Sequence, residues 1–215
     1  MPLTLSKNER GFTLIEIAIV LVIIGLLIGG VLKGQSMVKN SKIKRIATDT
    51  QSVQGAVNAY MDSHWFLPGD DSGAATHWAT ASGAGNGNGM IAGLFDAATK
   101  TTDESALAWN HLYCEGLAKG TCVAAGTAVT NPTNPLGGTT GIADGRTTNV
   151  LGLAAKVVCM ERIPVDYAMI YDSQFDDGAG DTGSIRGSDD AQVAATPGAA
   201  TAYTLGEVIH ICSSF

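Results

Sequence analysis

Four kinds of side chain in this 215-residue sequence could do chemistry: one glutamate beside an apolar run, four cysteines, a knot of aspartates and four histidines. Glu16 immediately precedes IAIVLVIIGLLIGGVL, Ile17 to Leu32, which has no polar side chain. A carboxylate in such company is selected against unless a cation meets it. Cys114, Cys122, Cys159 and Cys212 either pair as disulfides or offer thiolates to a metal. Zinc is the weaker reading, because the cysteines lack C-x-x-C spacing and the histidines are scattered at 64, 77, 111 and 210. YDSQFDDGAGDTGS gathers Asp172, Asp176, Asp177 and Asp181 around three glycines. These are oxygen donors of the kind that wrap calcium, without EF-hand spacing, and the alternative is a solvated acidic turn. Asp70 with Asp71 and Asp189 with Asp190 are weaker candidates.

Catalytic patterns are poor. Ser36 and Lys39 match S-x-x-K but lie in a basic stretch with no S-D-N or K-T-G partner. GAGNGNG from Gly83 is not followed by the Lys-Ser or Lys-Thr of a phosphate-binding loop. No Ser, His and Asp set has recognisable context, so the chain is read as a non-enzyme.

Charge separates the chain into parts. Twenty acids against thirteen bases give a net charge of -7. Lys33, Lys39, Lys42, Lys44 and Arg45 form a basic collar, beyond which six bases face eighteen acids. That balance disfavours general nucleic-acid binding, although a local patch around Arg146, Lys156 and Arg162 escapes a net count. With 45% apolar residues the length suits one globular domain.

The elements that must position these groups begin at the N-terminus. Together with FTLIE the apolar run reaches 21 residues, roughly 32 Å as a helix and enough to span a bilayer. Lys7 and Arg10 precede it, and no A-x-A cleavage pattern follows it, unlike an ordinary secretory signal. GFTLIE from Gly11 to Glu16, with bases before and an apolar helix after, resembles the cleavage and methylation site of type IV prepilins and type II secretion pseudopilins. The alternative is a plain anchor helix with a tolerated Glu.

The resemblance implies a leader of residues 1–11, cut between Gly11 and Phe12 by a prepilin peptidase that then N-methylates Phe12. It implies an α+β pilin-like fold: a long N-terminal helix over 12–64, transmembrane over about 12–32, packed on a loop-rich antiparallel sheet in an exported domain, 65–215. The implied function is a structural subunit of a type IV pilus or pseudopilus-like filament. Its partners are further copies of itself, other pilins or pseudopilins, an inner-membrane assembly platform, and membrane lipid before assembly. The implied location is single-pass in a bacterial inner membrane with a periplasmic domain, then a filament. Physical logic agrees, because an ammonium and helix-dipole end in hydrocarbon needs a counter-charge, which Glu16 of a neighbour supplies. The alternative is a minor tip subunit that binds substrate, surface or DNA; an enzyme merely anchored by the helix ranks third. Some major pseudopilins hold calcium in a C-terminal loop, which adds weight to calcium at Asp172, Asp176, Asp177 and Asp181 without displacing the solvated acidic turn as the alternative.

One count opposes export. Five bases flank the apolar run on its C-terminal side and two on the other, which alone would place the domain in the cytoplasm. The prepilin-like motif, the cysteines and the lack of a cytosolic catalytic signature outweigh it. In an exported domain the cysteines form two disulfides; Cys114 with Cys122 and Cys159 with Cys212 are favoured, while all three connectivities stay open.

Ile43, Ile46, Thr50, Val53, Val57 and Tyr60 recur at steps of three and four, predicting an amphipathic helix to about Ser63, with a free coiled coil as the alternative. Gly25 with Gly29 and Gly30 with Gly34 make two G-x-x-x-G spacings that allow close helix approach. Pro68 and Gly69 are expected to end the helix. A second helix is expected from Glu104 to about Leu117, opened by a Thr101/Glu104 capping box. Strands are expected at AKVVCM from Ala155, VDYAMIYD from Val165 and YTLGEVIHIC from Tyr203. Asn131–Asn149 is read as a surface loop and Ser173–Gly198 as an excursion. LPGD after the long helix, GNGNG from Gly85 and ES-x-x-A-W from Glu104 also resemble a subgroup of bacterial prepilin-like proteins.

Overall fold

No proline interrupts the chain between Pro2 and Pro68, and α1 runs over Leu14–His64, continuous through its four N-terminal glycines. The computed structural model describes residues 11–80, 82–95, 102–148, 150–188 and 200–215. It divides into two compact units, Met1–Ser41 and Lys42–Phe215. In the first, α1 has no polar side chain from Ile17 to Leu32 and that stretch is exposed, Leu26 at 73%. The helix is long and apolar enough to cross a membrane.

In the second unit the stripe expected from the periodicity is the buried one: Ile43, Ile46, Thr50, Val57 and Tyr60 are buried and Val53 half-buried. This part of α1 packs on a four-stranded antiparallel sheet of β1 (Thr140–Asp144), β2 (Lys156–Pro164), β3 (Ile185–Ser188) and β4 (Val208–Ser214), in the order β1-β2-β4-β3. The architecture is α+β with a long N-terminal helix on an antiparallel sheet.

Alternation divides each strand between two cores. Met160 and Ile163 of β2 and Ile209 and Ile211 of β4 meet Ile43, Ile46 and Ala47 of α1. Val157, Cys159 and Cys212 face the other way, onto Phe95 and Leu151. Cys159 and Cys212 are opposed in register and disulfide-bonded; a second disulfide joins Cys114 and Cys122, eight residues apart. A third core joins Val57 and Tyr60 of α1 to Trp109 and Leu112 of α2 (Glu104–Cys114) and to Ile142 of β1.

Several local expectations are corrected. VDYAMIYD is helical, part of α4 (Val165–Phe175), which follows the single-turn α3 (Gly145–Thr148) in the chain. Pro164 at its N-cap ends β2, and Val165, Ala168, Tyr171 and Asp172 are buried on one helical face. The supposed surface loop contains β1, buried throughout. Its Gly141 packs so closely on the Phe95 backbone that a Cβ would collide with the carbonyl. The excursion after Ser173 contains β3, and its residues 189–199, including Asp189 and Asp190, lie outside the described ones. The last strand starts only at Val208, after a turn in which Gly206 takes φ +92°.

Helix ends also differ. α1 ends because Trp65 adopts left-handed φ +63° while its N–H donates to Met61 O; the Pro68–Gly69 turn follows. α2 stops at Cys114 rather than Leu117. Thr101 of the expected capping box lies outside the described residues. Asp103 is the N-cap, and the Glu104 carboxylate accepts the N–H groups of Asn86 and Ala92 at 3.0 and 2.8 Å. Asp70 likewise accepts Asn88 and Gly89 N–H at 2.9 and 2.7 Å. LPGD, GNGNG and the start of α2 are therefore one assembly, two carboxylates organising a glycine-rich loop. Ser105 adds a hydroxyl bond to Ile142 O.

Candidate functional site

Gly11 and Phe12 precede the first turn of α1 and are exposed, Phe12 at 84%. The helix is then opened reciprocally. Thr13 N–H and Oγ1–H both donate to Glu16 Oε2, at 2.8 and 2.7 Å, and Glu16 N–H donates to Thr13 Oγ1 at 3.3 Å. This is a capping box, with Thr13 as N-cap and Glu16 three residues on. T-x-x-E before an apolar run is its sequence signal, so Glu16 has an intrachain partner that charge reasoning alone misses.

The acidic segment forms a second constellation. Carboxylate oxygens of Asp172, Asp176 and Asp177 lie within 4.8 Å of one another; Asp181 is not in this group. Asp172, fully buried at the end of α4, accepts Tyr203 O–H at 2.6 Å and Gly178 N–H at 3.1 Å. Asp176 accepts Ser184 and Ile185 N–H, and Asp177 accepts Ala179 N–H and Thr182 O–H. Burial holds the Asp172 carboxyl above the usual range; the hydrogen bonds from Tyr203 and Gly178 oppose that, and the charges of Asp176 and Asp177 add to it. Asp172, Asp176 and Asp177 are the carboxylates that could hold a hard, oxygen-preferring cation here.

A third constellation was not legible as a site. Three of the four histidines, far apart in the sequence, gather where α1 ends. His64 and His77 have ring centroids 4.5 Å apart, and His111 lies 5.8 Å from both the Tyr60 and Trp78 rings. Asp71, wholly buried, accepts the Tyr60 hydroxyl at 2.8 Å and pairs with His77 Nε2 at 2.9 Å. Glu115 Oε2 accepts from His64 Nε2 and Trp78 Nε1, both at 3.0 Å. His111 accepts Gly69 N–H on Nδ1 and donates Nε2–H to Gly83 O, which occupies both nitrogens; burial lowers its pKa, keeping it neutral. Burial pushes the Asp71 carboxyl up, but its bonds from Tyr60, Gly73 and His77 outweigh that and hold it below the usual range. The hydrogen bond from His64 lowers the Glu115 carboxyl.

Residues 6–32 match the family described as the prokaryotic N-terminal methylation motif. This is the signature of type IV prepilins and pseudopilins, and it covers Gly11, Phe12, Glu16 and the apolar half of α1. No curated protein and no solved structure matches the chain. The motif and the apolar helix fit a membrane-anchored precursor, processed by a prepilin peptidase and assembling with other pilins.

Proposed function

From the methylation motif and the helix that follows it, we propose that this protein is a structural subunit of a type IV pilus or type II secretion pseudopilus-like filament. The observation that carries the reading is the match over residues 6–32, continuous with an apolar helical segment whose side chains are exposed. Such a surface requires lipid before assembly and neighbouring helices afterwards.

The chain is cleaved after Gly11 and methylated on the new amino group of Phe12. In the inner membrane the Lys33–Arg45 collar meets lipid phosphates, and the acidic domain is exported to the periplasm. Thr13 satisfies Glu16 while the subunit is stored. On assembly the carboxylate turns to the Phe12 amine of a neighbour, which compensates a buried positive end and sets axial register. The role is structural and needs no catalytic residues.

The test is intact-mass and N-terminal analysis of the protein from its native membrane, in cells with and without a prepilin peptidase. A chain beginning at methylated Phe12 only when the peptidase is present is the expected result. An intact Met1 terminus, or cleavage beyond Leu32, would overturn the assignment.

A further inference from the structure

We propose that His64, Asp71 and His77 form a zinc-binding site in the exported domain, independent of the filament role and of the acidic segment. A ring nitrogen of each histidine and a carboxylate oxygen of Asp71 lie within 4.8 Å of one another. His77 Nε2 and Asp71 Oδ2 are 2.9 Å apart. Adjacent ligand atoms of a tetrahedral zinc with bonds of about 2.0–2.1 Å stand roughly 3.3 Å apart, so this pair is already near a shared edge. The 4.8 Å bound on the separations leaves at most about 1.5 Å of side-chain shift to close the third ligand.

The donor chemistry suits zinc. Two imidazoles and one carboxylate are the set used at three-ligand zinc sites, with water in the fourth position. The scaffold is rigid where it must be. Asp71 is fully buried and oriented by Tyr60 O–H on Oδ2 and by Gly73 N–H on Oδ1 at 2.8 Å. Oδ2 keeps a second lone pair, now turned to His77, for the ion. His64 is anchored in the last turn of α1, with Glu115 gripping its Nε2 as an outer carboxylate gripping a ligand imidazole. His77 caps the turn Ala74–Thr76.

Access is also provided, since the side chains of His64 and His77 are 15% and 29% exposed while Asp71 is closed off. Trp78 walls the site, its ring 5.9 Å from His64 and 5.5 Å from His77. Zinc takes the place of the His77 Nε2 proton against Asp71, the neutral ring carrying its one proton on Nδ1 instead, so that a neutral imidazole and a carboxylate face the ion. Bound there, the ion ties the 65–78 connection to the end of α1. His111 takes no part, because both its nitrogens are engaged.

The experiment is zinc titration of the full chain in detergent, stripped with chelator, in competition with a chromophoric chelator and followed by thermal melting. One zinc per chain and a rise in melting temperature are expected. His77→Ala and His64→Ala should each weaken binding at least tenfold, and Glu115→Gln about tenfold through loss of the orienting bond. Asp172→Asn should bind zinc like the parent, separating this site from the acidic segment. Absence of stoichiometric zinc in the parent overturns the proposal without any variant. So does parental affinity in the His64→Ala/His77→Ala double variant, folding being checked by near-ultraviolet circular dichroism.

Discussion

Docking of α1 on the sheet is tested most directly by Ile46→Ala. Ile46 is completely buried and lies in the core with Ile43, Met160, Ile163, Ile209 and Ile211. Truncation removes three carbons, worth about 2.4 kcal/mol of transfer free energy at ~0.8 kcal/mol per carbon. The surrounding residues come from two helices and three strands, two of the strands disulfide-linked, so the cavity closes only partly. The cavity contribution brings the total loss to about 3–4 kcal/mol. Urea melts should be followed by tryptophan fluorescence, because Trp109 is buried in the adjoining core while the micelle-held part of α1 keeps its far-ultraviolet signal throughout. The midpoint should fall with little change in slope. Met37→Ala, at a position 61% exposed, should change stability by less than about 0.5 kcal/mol. A loss below about 1 kcal/mol for Ile46→Ala would refute the docked arrangement.

Glu16→Val should insert into the membrane normally yet fail to form filaments. Thr13→Ala, which removes the hydroxyl of the capping box but leaves the charge, should still assemble; equal failure of both, read by filament yield, would make capping rather than charge the requirement. Asp144 supplies an acid-limb prediction: burial raises its pKa, but Arg146, bonded through Nε at 2.9 Å and Nη2 at 2.5 Å, pulls it below the usual value. Its contribution is therefore complete above the unfolded carboxyl value of about 3.9 and is lost as pH falls through the lower folded value. Asp144→Asn should flatten that part of the stability curve in pH-dependent melts, and an unchanged acid limb would contradict the pairing. Calcium should raise the melting temperature of the parent and leave Asp172→Asn unmoved, whereas an equal rise in both would remove Asp172 from any calcium site.

What could be read without the structure was local. Residues 11–32 announce themselves because the methylation motif and an apolar run long enough to cross a membrane are contiguous, and the Ile43 to Tyr60 stripe because helical period maps directly onto a buried face. Elements whose identity depends on distant partners were misread. VDYAMIYD has strand-forming residues but follows Pro164 and buries a helical face against β3 and β4, so packing overrode propensity. TGIAD looks like loop, yet its small residues are what allow β1 to lie against the Phe95 backbone.

The sequence by itself determined the methylation motif over residues 6–32, the apolar half of α1 and the side of its other half that turns inward, since each is encoded within a few turns of chain. Only the tertiary structure decided which strands complete the sheet, and that Asp70 and Glu104 hold the GNGNG loop. It also decided that His64, Asp71 and His77 meet. Their convergence depends on the left-handed turn at Trp65 and on the core joining α1 to α2, neither of which leaves a periodic trace in the order of residues.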